Sequence, residues 1–274
     1  MLLLSEKHDI NELMQREIFF HFGPGAHAEV EMNWPLPRPI EFWQQPYVKE
    51  GQSHYIVELV SAGNEYLQEQ INQGHEIILY AHSFGAFLVN ELPQDTLDQI
   101  KEVHFIAPTF NFFHSLSNLF EFAVDCEPSS YFISSPSSEE TEKSQLRNWV
   151  DTLKKEPTVD HFWATFNALL GIYPEYLKLY FESSQDYEKY KGLADKAAPM
   201  DEKSLIQAVN ELVQSYNKEL KLKNYKKVTF HIGLKDPLIS KRDRLQLEEI
   251  VGKQNIVSYD VGHFPHLESH GFTF

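Results

Sequence analysis

Ala81-His82-Ser83-Phe84-Gly85 is the stretch whose residue types and spacing point most directly to covalent chemistry. The apolar run Ile77-Ile78-Leu79-Tyr80-Ala81 leads into Ser83, and the apolar helical run Ala86-Phe87-Leu88-Val89 follows it. The residues two places either side of the serine, Ala81 and Gly85, are both small. This is the pattern of a nucleophile elbow, where a strand turns sharply into a helix and crowding leaves room only for small neighbours. Such a turn lifts the hydroxyl above the sheet. It also aims the helix N-terminus and the Phe84 N–H at negative charge developing on an attacked carbonyl. A serine in front of a helix also serves as a plain N-cap, so the reading depends on the elements around it.

Those elements alternate. Apolar runs suited to buried strands are Ile18–Phe22, Ile40–Trp43, Ile77–Ala81, Val103–Ala107, Val228–Ile232 and Ile256–Tyr259. Residues 53–73 carry Tyr55, Leu59, Tyr66 and Ile71 at helical spacing, with Gly74 as the stop. Continuous apolar runs separated by helical patterns predict a parallel α/β sheet flanked by helices. The middle of the chain differs. It offers no strand after about residue 133, and a polar loop runs from Ser134 to Lys143. Ser137 followed by Glu140 fits a capping box. Helical patterns follow over 139–155, 159–171, 174–182 and 201–217, with Pro174 and Pro199 between them. A helical insertion over 109–222 is expected, splitting a core of 1–108 and 223–274.

In this context the elbow resembles the α/β-hydrolase superfamily, with Ala81 where glycine is usual. The resemblance implies the chain order serine, acid, histidine. It points to Asp236, in Lys235-Asp236-Pro237 after the run 228–232, as the acid. It points to His263, in Gly262-His263-Phe264 after the run 256–259, as the histidine. The insertion corresponds to the cap of such enzymes. His21-Phe22-Gly23-Pro24-Gly25 resembles the family's HGxPG oxyanion turn, with Phe22 in the place of the first glycine. The oxyanion donors implied are the N–H groups of Gly23 and Phe84. Few residues precede the first run and few follow His263. The resemblance therefore implies a sheet trimmed at its N-terminal edge and a short last helix, edges that a second subunit of a homodimer can cover.

Other candidates are weaker. Asp260 competes with Asp236 as the acid. His82 occupies a variable elbow position that points away from the nucleophile, a structural role. His266 and His270 read as bystanders, and His104 and His231 as satisfied residues within strands. His21 with His27, or His263 with His266 and His270, lack the HExxH, paired-Cys or carboxylate setting of a metal site, so no metal is expected. No G-x-G-x-x-G and no Walker A loop is present, so no cofactor is expected. The single cysteine, Cys126, excludes an intrachain disulfide and a multi-Cys cluster. With 24 Lys+Arg against 40 Asp+Glu, the net charge of −16 argues against a nucleic-acid partner. No run reaches the roughly 20 apolar residues of a membrane span, and Met1–Ile10 lacks the makings of a signal peptide. A soluble, cytoplasmic protein is expected.

The expected activity is therefore that of a serine hydrolase acting on the ester or thioester of a small molecule. An aromatic-walled pocket, with Phe22, Phe110, Phe113, Trp163 and Phe264 as its candidates, favours an apolar acyl group. A proline iminopeptidase or other α/β-hydrolase chemistry is the alternative enzyme reading; the iminopeptidase would need an acidic pocket for a free amine, with Glu121, Asp125 and Glu127 as candidates. A non-catalytic module that binds a small ligand is the alternative from another class.

Overall fold

The computed structural model describes residues 14–36, 38–126, 139–215 and 228–274, with Glu139, Glu140 and Ser215 described by backbone alone. The expected capping box at Ser137 and Glu140, the polar loop up to residue 138, Glu127 and residues 1–13 lie outside the described residues.

Among the described residues, six strands form one sheet: β1 (Gln15–Phe20), β2 (Glu41–Trp43), β3 (Glu76–His82), β4 (Glu102–Ile106), β5 (Val228–Gly233) and β6 (Ile256–Tyr259). Their order is β2-β1-β3-β4-β5-β6 and every pairing is parallel. No antiparallel strand precedes β1 among the described residues. Parallel neighbours need long crossovers, and helices supply them. They are α1 (Glu29–Met32), α2 (Tyr55–Asn72), α3 (Phe84–Asn90), α4 (Gln94–Leu97), α5 (Phe112–Asp125), α6 (Glu139–Lys155), α7 (Val159–Ile172), α8 (Ser184–Ala194), α9 (Glu202–Ser215) and α10 (Lys241–Val251), and a further helix, α11 (Pro265–Glu268), follows β6.

The central strands are buried on both faces, which explains their unbroken apolar runs. Ile77, Leu79 and Ala81 of β3 face one core with Phe20, Phe105 and Phe230, over which α2 and α3 pack. Ile78 and Tyr80 face the other core with Phe19, Ile106 and Tyr259, closed by Phe272 near the C-terminus. Because all strands run the same way, their C-terminal ends meet on one edge. The turns after β1, β3, β5 and β6 therefore gather there, carrying Gly23, Ser83, Asp236 and His263.

All described residues between β4 and β5 that form elements are helical. This stretch is fastened to the core. The Glu211 carboxylate on α9 accepts from the Tyr55 and Ile56 N–H groups at the start of α2, at 2.9 and 3.0 Å. An anion at a helix N-terminus satisfies free donors and meets the positive end of the dipole. The helix expected over 174–182 is only a 3-10 turn, Tyr176–Tyr180. Its last carbonyl is diverted, since Tyr180 O accepts from the His263 N–H at 2.6 Å. Helix α8 was not anticipated. Its mark in the sequence is Ser183, whose side chain caps the Asp186 N–H three residues on.

Gly85 shows why the elbow demands small residues. A Cβ there would sit 2.2 Å from the Phe20 carbonyl oxygen of β1, well inside contact distance. The obstacle is backbone, so it cannot rotate away. Gly85→Ala is expected to lower stability by about 1–3 kcal/mol or more, read as a fall in the urea midpoint, whereas Gly171→Ala, with open space around its added methyl, does not lower it.

Candidate active site

The strand β3 ends at His82, α3 begins at Phe84, and Ser83 makes the turn between them with φ 52° and ψ −112°. A non-glycine residue at positive φ stores about 1–3 kcal/mol of strain and persists only where its surroundings hold it. Here the Ser83 N–H donates to Ile106 O at 2.9 Å and the Ser83 carbonyl accepts from the Ala86 N–H at 3.1 Å.

Ser83 Oγ lies 2.9 Å from His263 Nε2, and His263 Nδ1 lies 2.8 Å from Asp236 Oδ2. The three residues are 7%, 0% and 4% exposed for Ser83, His263 and Asp236. The other carboxylate oxygen of Asp236 accepts from the Leu238 N–H at 2.8 Å. An aspartate that only accepts fixes the Nδ1–H form of the ring, which leaves Nε2 free to take the serine proton. The His263 loop is clasped from the other side by Tyr180, whose ring meets the imidazole edge-on at 5.1 Å. Asp260 does not reach this chain. Its side chain is 77% exposed and sits 3.4 Å from Lys235 Nζ.

Gly23, with φ 65°, lines the same cavity as Ser83 and Phe84. Neither the Gly23 nor the Phe84 N–H meets an acceptor among the described residues. The Phe22 N–H is taken, donating to Glu31 Oε2 at 3.1 Å. The buried His21 ring orients the turn: its Nδ1 donates to the Phe22 carbonyl at 2.9 Å. That carbonyl and the Gly23 N–H belong to one planar peptide unit, so holding the oxygen aims the N–H. Burial holds the pKa of His21 down to about 4, so the ring is neutral at physiological pH.

The cavity at Ser83 has a volume of about 90 Å³. Phe22 and Trp163 line it, together with Phe84, Phe112, Phe162 and Tyr180. Phe110, Phe113 and Phe264 do not. Phe110 stands edge-on against Phe105 and Phe230 over the sheet, at 5.2 and 6.3 Å. Phe113 follows Phe112 on α5, and one helical residue is a rotation of about 100°, which carries it off the wall. Phe264 is wholly buried, stacked on Phe181 at 4.6 Å. The sequence showed the aromatic density of the helical stretch but not which stripe of α5 and α7 faces Ser83. Among the described residues, no carboxylate lines this cavity. Glu121 pairs with Lys154 at the surface, and Asp125 is 82% exposed beside Arg147.

The family model described as alpha/beta hydrolase fold matches residues 37–270 of the chain. The chain belongs to that family. The chain is also similar to solved structures. An alpha/beta superfamily hydrolase from Oenococcus oeni PSU-1 is 16% identical, with 89% of this chain and 83% of that one covered and a TM-score of 0.49. The esterase EaEST from Exiguobacterium antarcticum is 13% identical, with 92% and 86% covered and a TM-score of 0.48. The protein DBJA is 14% identical, with 90% and 83% covered and a TM-score of 0.50. No curated protein matches the chain in sequence. No helix among the described residues is long and apolar enough to cross a membrane.

The remaining histidines of this hydrolase fold divide sharply. His104 and His231 pair across β4 and β5 at 3.1 Å, and His231 continues to the Tyr259 hydroxyl at 2.9 Å. Burial holds the pKa of His231 down to about 3. His270 is exposed. His266, expected as a bystander, has a buried polar partner. It is buried and sits 2.8 Å from Glu31 Oε1, which His82 Nδ1 approaches at 2.7 Å. These three residues are the one group among the described residues with ligand atoms close enough together for a metal, within 4.8 Å. The sequence reading did not include Glu31, which carries no motif of its own.

Glu268 on α11 braces the His263 loop from outside. Its carboxylate accepts from the Phe264 N–H at 3.2 Å and from the Glu182 N–H at 2.8 Å. Burial outweighs these bonds and pushes its pKa from 4.5 up to about 7. The folded chain thus binds this proton more tightly than the unfolded chain. The stability this contributes is fully present below about pH 4.5 and is lost as pH rises through about 7. Wild type is expected to lose more of its urea midpoint between pH 5 and pH 8 than Glu268→Gln does; equal losses would refute the assignment.

Proposed function

We propose that the protein is a serine hydrolase cleaving a carboxylic ester or thioester through Ser83, His263 and Asp236. The observation that carries this reading is the continuous hydrogen-bonded chain of 2.9 and 2.8 Å from hydroxyl to carboxylate. It opens onto an aromatic cavity. As Ser83 Oγ attacks the acyl carbonyl carbon, His263 Nε2 takes the hydroxyl proton. Asp236 keeps the ring in place and stabilises the imidazolium that forms. The negative oxygen is received by the Gly23 and Phe84 N–H groups, each donor of this kind contributing about 2.7–4 kcal/mol to the transition state. His263 then passes its proton to the leaving oxygen or sulfur, and the acyl group stays on Ser83. Water attacks that acyl-enzyme, its proton going to His263, and the acid leaves as Ser83 recovers its proton. None of these steps requires a cofactor.

The described residues of 109–222 serve in this reading as the cap, with α5 and α7 walling the acyl site. The cavity of about 90 Å³ is smaller than the roughly 150 Å³ space that holds benzene. It suits an acyl group of roughly two to four carbons. With no carboxylate among the described residues of the wall to hold a free amine, the iminopeptidase reading has no observation in its favour.

The test is fluorophosphonate labelling followed by intact mass. One adduct is expected on wild type and none on Ser83→Ala; a folded wild type that takes no adduct would put a ligand-binding module in place of the enzyme. With p-nitrophenyl esters, kcat/KM is expected to be highest for the shortest acyl chains, and His263→Ala to lower kcat by about 10⁴–10⁶-fold.

A further inference from the structure

We propose that Glu31 is a positioning residue whose single buried carboxylate ties together the three turns that carry the reacting groups. This inference rests on the serine-hydrolase reading given above.

Glu31 sits on the single-turn helix α1, and its side chain is 1% exposed. Each of its contacts leads to a different part of the site. Oε2 accepts from the Phe22 N–H at 3.1 Å, in the turn that carries Gly23. Oε1 meets His82 Nδ1 at 2.7 Å, next to Ser83 in the chain. Oε1 also meets His266 Nε2 at 2.8 Å, on the segment that follows His263. His82 extends the link, because its Nε2 lies 3.0 Å from the backbone carbonyl oxygen of His263 itself. The rings of His82 and His263 pack 5.1 Å apart. One carboxylate and one imidazole therefore span the oxyanion turn, the elbow and the histidine loop.

The protons follow from the partners. A carbonyl oxygen only accepts, and an ionised carboxylate only accepts. Both His82 ring nitrogens face such atoms, so both carry hydrogen and the ring is an imidazolium paired with Glu31. Burial alone would push the Glu31 carboxyl up. The charge of His82, with hydrogen bonds from His266 and His82, outweighs burial and holds it well below the usual carboxylate range. His266 gives one proton to Glu31, while its Nδ1 is buried with no partner, which fits a neutral ring. Each close contact in the cluster is thus filled by a hydrogen bond.

A buried ion pair of this kind costs desolvation and is weak evidence for stability on its own account. Its value here is geometric. Its bonds reach only backbone and side chains at the three turns. Removing a partner would let those turns shift independently, and a misplacement of about 1 Å can cost about 10²-fold in rate.

Glu31→Gln keeps the size but not the bonding. If the amide oxygen faces His82 and His266, the amide NH₂ opposes the Phe22 N–H; if it is flipped, the NH₂ opposes two imidazole donors. The folded variant is expected to lose roughly 10–100-fold in kcat and in fluorophosphonate labelling rate, with KM changed less than about threefold. Labelling as fast as wild type, or a rise in KM alone, would overturn the proposal. A purely structural role would lower the melting temperature and leave kcat per folded molecule unchanged. Should the variant not fold, nitrogen NMR of wild type decides: two protonated nitrogens on the His82 ring are expected, and one would overturn the assignment. Metal analysis of the purified protein is expected to find no stoichiometric ion; one ion per chain would make the same three residues ligands and also overturn it. A wild type that fails to label would sink the hydrolase reading instead, so the two failures are distinct.

Discussion

The close passage of α3 over the end of β1 is the constraint on which the rest of this site depends. With no Cβ, Gly85 approaches the Phe20 carbonyl more closely than any other residue could. That approach lets the chain leave β3, turn at Ser83 and enter α3 without clearing the sheet first. The serine is held in a conformation that L-residues avoid, and its own backbone bonds to Ile106 and Ala86 hold it there. The strain is spent on direction: the hydroxyl stands over the edge where the other turns arrive. A similar demand recurs at Gly233 and Gly262. A Cβ on Gly233 would strike the Gly262 carbonyl oxygen at 1.8 Å, and one on Gly262 would strike the Tyr180 oxygen at 2.1 Å. The acid turn, the histidine turn and the 3-10 turn above them are stacked backbone on backbone. The 2.9 and 2.8 Å contacts of the site are possible because these layers leave no slack.

What the sequence revealed and what it hid follow from this construction. Strands buried on both faces must be apolar throughout, so β3, β4 and β5 stood out as runs; the edge strand β6, with Val257 and Ser258 exposed, was marked by Ile256, Val257 and Tyr259, and all four positions came within a residue or two. The small residues at the elbow and the order of serine, aspartate and histidine were legible because local sterics and chain order are local properties. The first strand ends at Phe20, not Phe22, because the polar and aromatic pair His21-Phe22 leaves the ladder to form the turn that carries Gly23. The helix expected over 174–182 shrank because Tyr180 gives its carbonyl to the His263 loop, a partner 83 positions away that no local pattern could announce.

The hidden part is the part held by long-range polar contacts. Glu31 lies in a short stretch with no periodicity to mark it, and its partners are His82, Phe22 and His266. A buried carboxylate is rare unless paired, but pairing is a property of three dimensions. The same holds for the pocket. Residues 112, 116, 162, 163 and 166 are apolar or aromatic and could equally well have been core. Only the packing of α5 and α7 against the sheet edge turns them into a wall.

His21, His82, His263 and His266 lie close together, all buried and all of one residue type, yet their partners give them different proton inventories. His21 donates to a carbonyl from Nδ1 and receives the Gln45 N–H at Nε2, at 3.4 Å, so it is neutral and fixed. His82 faces acceptors on both sides, so it is charged. His263 faces a carboxylate on one side and a hydroxyl on the other, the one arrangement of the four in which a nitrogen is left to accept from a group that can be given up. In the proposed mechanism His263 is the one that cycles a proton, while His82 is held by acceptors on both sides and His21 by the Phe22 carbonyl and the Gln45 N–H. The proton mobility of a single imidazole is created by the immobility of those around it, which is why so polar a cluster is kept beneath an otherwise aromatic pocket.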